Sequence, residues 1–311
     1  MNLIVTKIYT NQINESWIID RVISEWNENN KDISTKKIKE SDIVWIISNW
    51  TWEKIPKKYL KKNKVVASIY HIDFDKFDKK EEQNFKKMDE YVDFYHVISK
   101  KTKKQLEKLT NKEIFSIPFW INQENLFYIE EKLALRKKYG YLENEFIVGS
   151  FQRDTEGNDL VSPKLIKGPD IFLEVVKNLN KSKNLKVLLA GTRRQYIIRN
   201  LEKLGISYKY YEMVNINTLN EFYNILDLYI VSSRIEGGPQ AIIECATTKT
   251  PIISTDVGVA SEILHSDSIY TLENFENAKP MVEYAYKKSI EFKIPKGMEK
   301  FREMFKYLYE S

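Results

Sequence analysis

A parallel α/β fold in two domains is the architecture this sequence predicts, and three features carry the prediction. Short apolar, β-branched runs alternate with stretches of helical period along the chain. Several of those runs are apolar on both faces, as strands covered on each side by helices must be. The alternation restarts once, after Pro118-Phe119-Trp120-Ile121-Asn122. At about 100–200 residues per domain, the 311-residue chain has room for two.

In order, the first strand is read from Leu3 to Tyr9 and a helix from Trp17 to Trp26. DIVWIIS (42–48) and VVASIYH (65–71) are apolar strands. FYHVIS (94–99) leads into a helix over 100–109, and 114–117 closes a first domain assigned to 1–120. In the second domain, 121–292, the strands are 146–151, 186–190 and 208–211, with helices at Pro169–Leu179 and 220–226. Leu228 to Val231 is the next buried strand, followed by the polar loop Ser232-Ser233-Arg234-Ile235-Glu236-Gly237-Gly238. Pro239 then opens a helix at its first position, where the missing N–H has no intrahelical partner to lose. Ile242, Ile243 and Ala246 supply its buried side. Pro251 to Ser254 is a strand, and Thr255-Asp256-Val257-Gly258 turns into a short helix carrying Glu262. The tail, 293–311, contains a last helix over 297–309.

A hydrophobic share of 42%, with 13% aromatics, fills two cores and excludes general disorder. The single cysteine, Cys245, excludes an intramolecular disulfide and a cysteine-based metal site, and reads as a packed small hydrophobe. Three scattered histidines argue against a zinc centre. The N-terminal apolar run is too short for a signal peptide, and no stretch approaches the ~18 apolar residues of a span. A reducing, cytoplasmic location is the default. The net charge of +5 is modest, but lysines cluster in IPKKYLKKNK (55–64) and SKKTKKQLEK (99–108). Each run reads first as a solvated helix face; together they leave open a peripheral contact with an anionic membrane.

The stretch from 228 to 264 concentrates the chemistry. Gly237 and Gly238 let the backbone approach a ligand, and the first turn of the helix after them offers free N–H groups backed by the helix dipole. Glu236 in the loop and Glu244 about 7.5 Å along the helix stand on either side of that anion site. Ionised carboxylates only accept hydrogen bonds, so they suit sugar hydroxyls and not phosphate oxygens. Hydroxyl-reading acids flanking a phosphate site are the layout that a nucleotide sugar requires. Arg153 follows the strand at 146–151, where ligands of open α/β sheets bind. With Lys167-Gly168 after it, the arginine supplies the positive partners a diphosphate needs. Asp154 and Asp159, in the loop between those cations, are read as solvated.

Glu236, Gly237, Gly238, Pro239 and Glu244 resemble the donor-binding core of retaining GT-B glycosyltransferases of the family-4 type, with its Glu-x7-Glu motif. The resemblance implies two Rossmann-like domains with the active site in a cleft between them, and a last helix that crosses back to the first domain. It implies that Glu236 sits by the transferred sugar, that Glu244 holds the ribose, and that Arg153 and Lys167 contact the diphosphate. It also implies that His71 faces the donor sugar and that Val214 lies where backbone groups meet the base. HVISKKTKKQL (96–106) and IPFWINQENLF (117–127) are similar to scaffold elements of that family, with Asn122 in place of an Asp. Two departures stand out: the loop Thr10–Trp17 has no glycine, and Thr192-Arg193-Arg194 follows LKVLLAG in place of a Gly-Asp-Gly-Pro type of turn.

The function expected is hexose transfer from a nucleoside-diphosphate sugar to an acceptor hydroxyl on a glycan, glycolipid or cell-surface polysaccharide. Retention by front-face attack is what the resemblance implies. Arg153, Lys167 and the helix N-terminus stabilise the leaving diphosphate, so neither a metal nor a cofactor is expected. Asp73-Phe74-Asp75 is the only Asp-x-Asp spacing at a strand end, and it suits the acceptor side instead. The alternatives are a nucleotide-sugar epimerase or hydrolase, and a donor-binding GT-B module without transferase activity. No nucleic-acid partner is expected.

Overall fold

In the computed structural model, which describes residues 6–12 and 18–311, every strand pairing in the sheets is parallel. The chain divides into two units, Met1–Trp120 with Ile294–Ser311, and Ile121–Lys293.

The first unit carries β1 (Ile8–Thr10), α1 (Ile18–Asn29), β2 (Ser34–Thr35), β3 (Ile43–Ile46), α2 (Lys57–Lys62), β4 (Lys64–Ile69), α3 (Lys79–Asp89), β5 (Phe94–Val97), α4 (Lys100–Leu106) and β6 (Ile114–Ser116). Its sheet runs β2-β1-β3-β4-β5-β6. Successive residues of a strand face opposite ways: Val66 joins one apolar cluster, and Val65 and Ala67 join the other. That is why the strand is apolar throughout. The strands end earlier than their apolar runs. Past Ile46 the Ile47 N–H donates to Asn11 Oδ1 at 2.9 Å, a side chain standing in for the next rung of the ladder. Past Val97, Ser99 caps α4, its Oγ accepting from the Thr102 N–H at 3.1 Å. Of the first strand and helix expected from the sequence, residues 3–5 and Trp17 lie outside the described residues.

The second unit carries α5 (Lys132–Lys138), β7 (Phe146–Ser150), α6 (Pro169–Leu179), β8 (Leu185–Ala190), α7 (Gln195–Lys203), β9 (Tyr208–Tyr211), α8 (Ile216–Ile225), β10 (Leu228–Val231), α9 (Gln240–Thr247), β11 (Ile252–Thr255), α10 (Ala260–Ile263), β12 (Ile269–Tyr270) and α11 (Val282–Ser289). Its sheet runs β12-β11-β10-β7-β8-β9. In β8, Val187 and Leu189 pack on one face while Leu188 and Ala190 pack on the other. The helix expected at 220–226 starts four residues earlier, because Asn215 caps it through the Thr218 N–H at 2.9 Å.

The final helix, α12 (Lys296–Glu310), belongs to the first unit. Its Phe301 and Phe305 enter an aromatic nest around Trp26, Trp45 and Trp120, with ring centroids 5.2–6.3 Å apart. Among the described residues no helix is long and apolar enough to cross a membrane.

Candidate active site

Three adjacent parallel strands, β11, β10 and β7, deliver their loops to one carboxyl edge of the second sheet. The loop after β10 is stitched to the turn before α6 by backbone and side chain alike. The Arg234 and Ile235 N–H groups both donate to the Ile166 carbonyl, at 2.8 and 3.2 Å. Gln152 Nε2 and Ser232 Oγ both donate to the Lys167 carbonyl, at 2.9 and 3.2 Å. From the other side, Thr255 Oγ1 donates to the Ser233 carbonyl at 2.6 Å. Arg234 is spent on bracing: its guanidinium grips both oxygens of Asp170 and the Leu165 carbonyl.

Two glycines make this packing possible. Gly168 has φ +60°, and a Cβ there would lie 1.7 Å from the Ser232 carbonyl oxygen. Gly258 has φ +53°, and its Cβ would meet the Gly237 oxygen at 2.4 Å and the Gly238 nitrogen at 2.9 Å. Gly237 and Gly238 themselves are not among the residues with positive φ. The close approach to their backbone is made by Gly258. Proline at the first helical position is realised in Pro169 of α6, whereas Pro239 stands one position earlier in its helix, at the N-cap of α9.

On this frame the Lys167 ammonium bonds Glu236 Oε1, with both side chains largely buried. Ser233 Oγ donates to the same oxygen at 3.4 Å and to Gln152 Oε1 at 3.2 Å. Arg153 lies three residues past β7 and is exposed. Glu244, on the second turn of α9, is only 5% exposed, so it is no solvated helical acid. Tyr223 Oη donates to its Oε2 at 2.6 Å. Burial and that carboxylate hold the Tyr223 hydroxyl well above the usual phenol range, so it stays a donor. Val214 is half-buried against the core, one residue before the α8 cap.

A further expectation is corrected here. Asp154 is buried, not solvated. It pairs with the fully buried Arg194 (Nε to Oδ2 3.0 Å) and accepts from the Tyr196 N–H at 3.1 Å. Burial pushes its carboxyl up to about 6, against the downward pull of Arg194. The Arg194 guanidinium also donates to the Gln152 carbonyl and, at 3.2 Å, to Ser150 Oγ. Thr192-Arg193-Arg194 is therefore a clamp under the loop that carries Arg153 and Lys167. Asp159 is exposed and caps the Val161 and Ser162 N–H groups.

Lys164 was not singled out by the sequence. Half-buried one turn before Lys167, it has its ammonium held down to about 8 by burial first, then by the charges of Arg153 and Lys167, against the pull of Glu236 and Glu156. The spacing Lys164-Leu165-Ile166-Lys167 was the available signal.

His71 belongs to the first unit. It is exposed, lies two residues past β4, and lines a cavity of about 490 Å³ with Asn49, Trp50, Asp73 and Asn84. Asp73 and Asp75 form a turn in which Asp73 Oδ1 accepts from the Asp75 N–H at 3.3 Å.

Solved structures share this architecture at low identity. A sucrose-phosphate synthase (tll1590) from Thermosynechococcus elongatus superposes with a TM-score of 0.70 at 13% identity, over 94% of this chain and 78% of that one. Anabaena Alr3699/HepE, solved in complex with UDP and glucose, gives 0.72 at 11% identity, over 97% of this chain and 100% of that one. A glycosyltransferase from Rickettsia africae ESF-5 gives 0.61 at 18%, over 96% and 84%. No curated protein matches the sequence. The class that the two parallel sheets define is the GT-B glycosyltransferase fold. Residues 162–287 match the family described as Glycosyl transferases group 1.

Proposed function

We propose that this chain is a retaining, metal-independent glycosyltransferase that moves a hexose from a nucleoside-diphosphate sugar to an acceptor hydroxyl on a glycan, glycolipid or cell-surface polysaccharide. The observation that carries the reading is the meeting of Lys167 and Glu236 at the carboxyl edge of the sheet, beside the N-terminus of a helix that holds Glu244. The UDP bound by HepE supports a nucleoside diphosphate as the leaving group.

In this mechanism the diphosphate takes Lys167 from Glu236, joins Arg153 and lies at the positive end of the α9 dipole. The released Glu236 accepts from the hexose hydroxyls, and Glu244, oriented by Tyr223, accepts from the ribose. As the glycosidic bond breaks, the sugar becomes oxocarbenium-like and charge grows on the β-phosphate. The fixed cations and the helix dipole stabilise that charge without rearranging. The acceptor hydroxyl attacks from the same face and gives its proton to the departing β-phosphate oxygen, which retains configuration. The cavity beside His71 has the mixture of tryptophan, carboxylate and amide that suits a sugar acceptor. His71 is the catalytic residue proposed for the first unit. The presence of both acids and both cations favours transfer over a bare binding module.

A thermal-shift screen across UDP-, GDP- and ADP-sugars tests the donor. A ligand at 100 times its Kd stabilises by about 2.7 kcal/mol, and no shift with any of them refutes the reading. The lysines of α2 and α4 extend the proposal to peripheral contact with an anionic membrane. Retention on anionic vesicles should then fall steeply with salt; equal retention on neutral vesicles removes that part.

A further inference from the structure

We infer that Lys164 is a further donor-binding residue, a third cation for the diphosphate. The inference rests on the donor site proposed above.

Lys164 and Lys167 stand on one short turn, closed by the Lys167 N–H to the Lys164 carbonyl at 2.8 Å. The turn cannot drift. The Lys164 N–H donates to the Asp154 carbonyl at 2.8 Å, and Asp154 is clamped by Arg194. On the far side, Gly168 abuts the Ser232 carbonyl. The half-buried Lys164 is thereby held within the fields of Arg153 and Lys167, two like charges. Of the carboxylates acting on it, Glu236 is already bonded to Lys167 and Glu156 is exposed. Asp154 is neutralised by Arg194. Like charges gathered at a rigid turn and left short of carboxylates form a site for a polyanion.

The protonation of Lys164 then follows the ligand. Burial and its two cationic neighbours hold the ammonium down to about 8, so the free protein loses much of this charge by pH 8.5. A diphosphate set among the three cations favours the charged form and raises the ammonium again. Binding at pH 8.5 must therefore take a proton from solvent and transfer it to Nζ. At pH 7 the proton is already there.

Calorimetry of the full chain with UDP, GDP and ADP, in buffers of different ionisation enthalpy, reads this directly. In the wild-type protein, proton uptake should appear at pH 8.5, and affinity for the bound nucleotide should fall between pH 7 and 9. Lys164→Met should weaken binding at pH 7 by roughly 10-fold or more, the scale of one charge-assisted bond, and abolish the uptake. Lys164→Arg keeps its charge at every pH used. It should hold near-wild-type affinity at pH 7, with no uptake at pH 8.5 and no loss toward pH 9. If the wild type binds nucleotide and Lys164→Met matches it across the range, Lys164 is not a donor residue and the inference fails alone. If the wild type binds none of the three, the donor site itself fails and takes this inference with it.

Discussion

Gly168 and Gly205 allow one packing contact to be separated from backbone strain. Both sit in the second unit with nearly the same left-handed φ, +60° and +65°, so alanine pays similar strain at each. That strain is about 1–2 kcal/mol. They differ in what a Cβ would meet: the Ser232 carbonyl at 1.7 Å for Gly168, and nothing within 4 Å for Gly205. The contact at Gly168 is with backbone, so no rotamer change relieves it, and overpacking adds about 1–3 kcal/mol. For a domain of this size about 2–4 °C of Tm is lost per kcal/mol. Gly205→Ala should therefore lower the second unit's Tm by about 2–8 °C, and Gly168→Ala by about 4–20 °C. The functional outcomes diverge further. To make room, the turn carrying Lys164 and Lys167 must part from the loop carrying Glu236, so Gly168→Ala should lose nucleotide affinity while Gly205→Ala keeps it. Thermal unfolding and nucleotide titration of both variants decide the matter. Equal drops in Tm, or unchanged nucleotide binding by Gly168→Ala, would refute the reasoning.

Glu236→Ala should bind free nucleoside diphosphate at least as well as the wild type, because it releases Lys167, yet lose sugar transfer; Glu244→Ala should weaken both, and equal losses of nucleotide affinity would reverse the two assignments. Donor turnover should persist in excess chelator, and a loss restored by Mg²⁺ would shift attention to Asp73 and Asp75. His96 is buried in a saturated chain: Trp45 Nε1–H donates to Ser68 Oγ (2.8 Å), Ser68 to His96 Nδ1 (2.8 Å), and His96 Nε2–H to the Ile117 carbonyl (2.8 Å). Burial holds its pKa down to about 4, so between pH 6.5 and 4 the unfolded chain binds the extra proton. This contribution to stability is complete above pH 6.5 and is lost as pH falls through that window, up to about 3 kcal/mol. Denaturant titrations at pH 7, 5.5 and 4 should show the loss, and it should shrink in His96→Gln; an identical slope in both proteins would contradict it.

What the sequence makes legible here is whatever repeats locally. The buried strand Leu228–Val231 and the half-buried edge strand Tyr208–Tyr211 can be read to the residue, because both of their ends are marked by polar or turn-forming neighbours. The helix Pro169–Leu179 is equally plain, since Gly168 and Pro169 punctuate its start. Short, lysine-rich helices such as α3 and α5 were missed, because each buries only one residue and leaves almost no apolar stripe. The stretch proposed to bind the donor could be picked out by its residue types, but pairings within it could not. Lys167 and Glu236 are separated by 69 positions, and Asp154 and Arg194 sit in loops that nothing local marks as neighbours. The second pair shows why that matters. An aspartate in a polar loop is solvated by default, and only the buried guanidinium of Arg194, itself unforeseeable from a Thr-Arg-Arg run, turns it into an anchor. Through that anchor the departure from the usual Gly-Asp-Gly-Pro turn acquires a physical role. In place of a glycine-rich turn after β8, this chain has a charged clamp that fixes the cation-bearing loop from below.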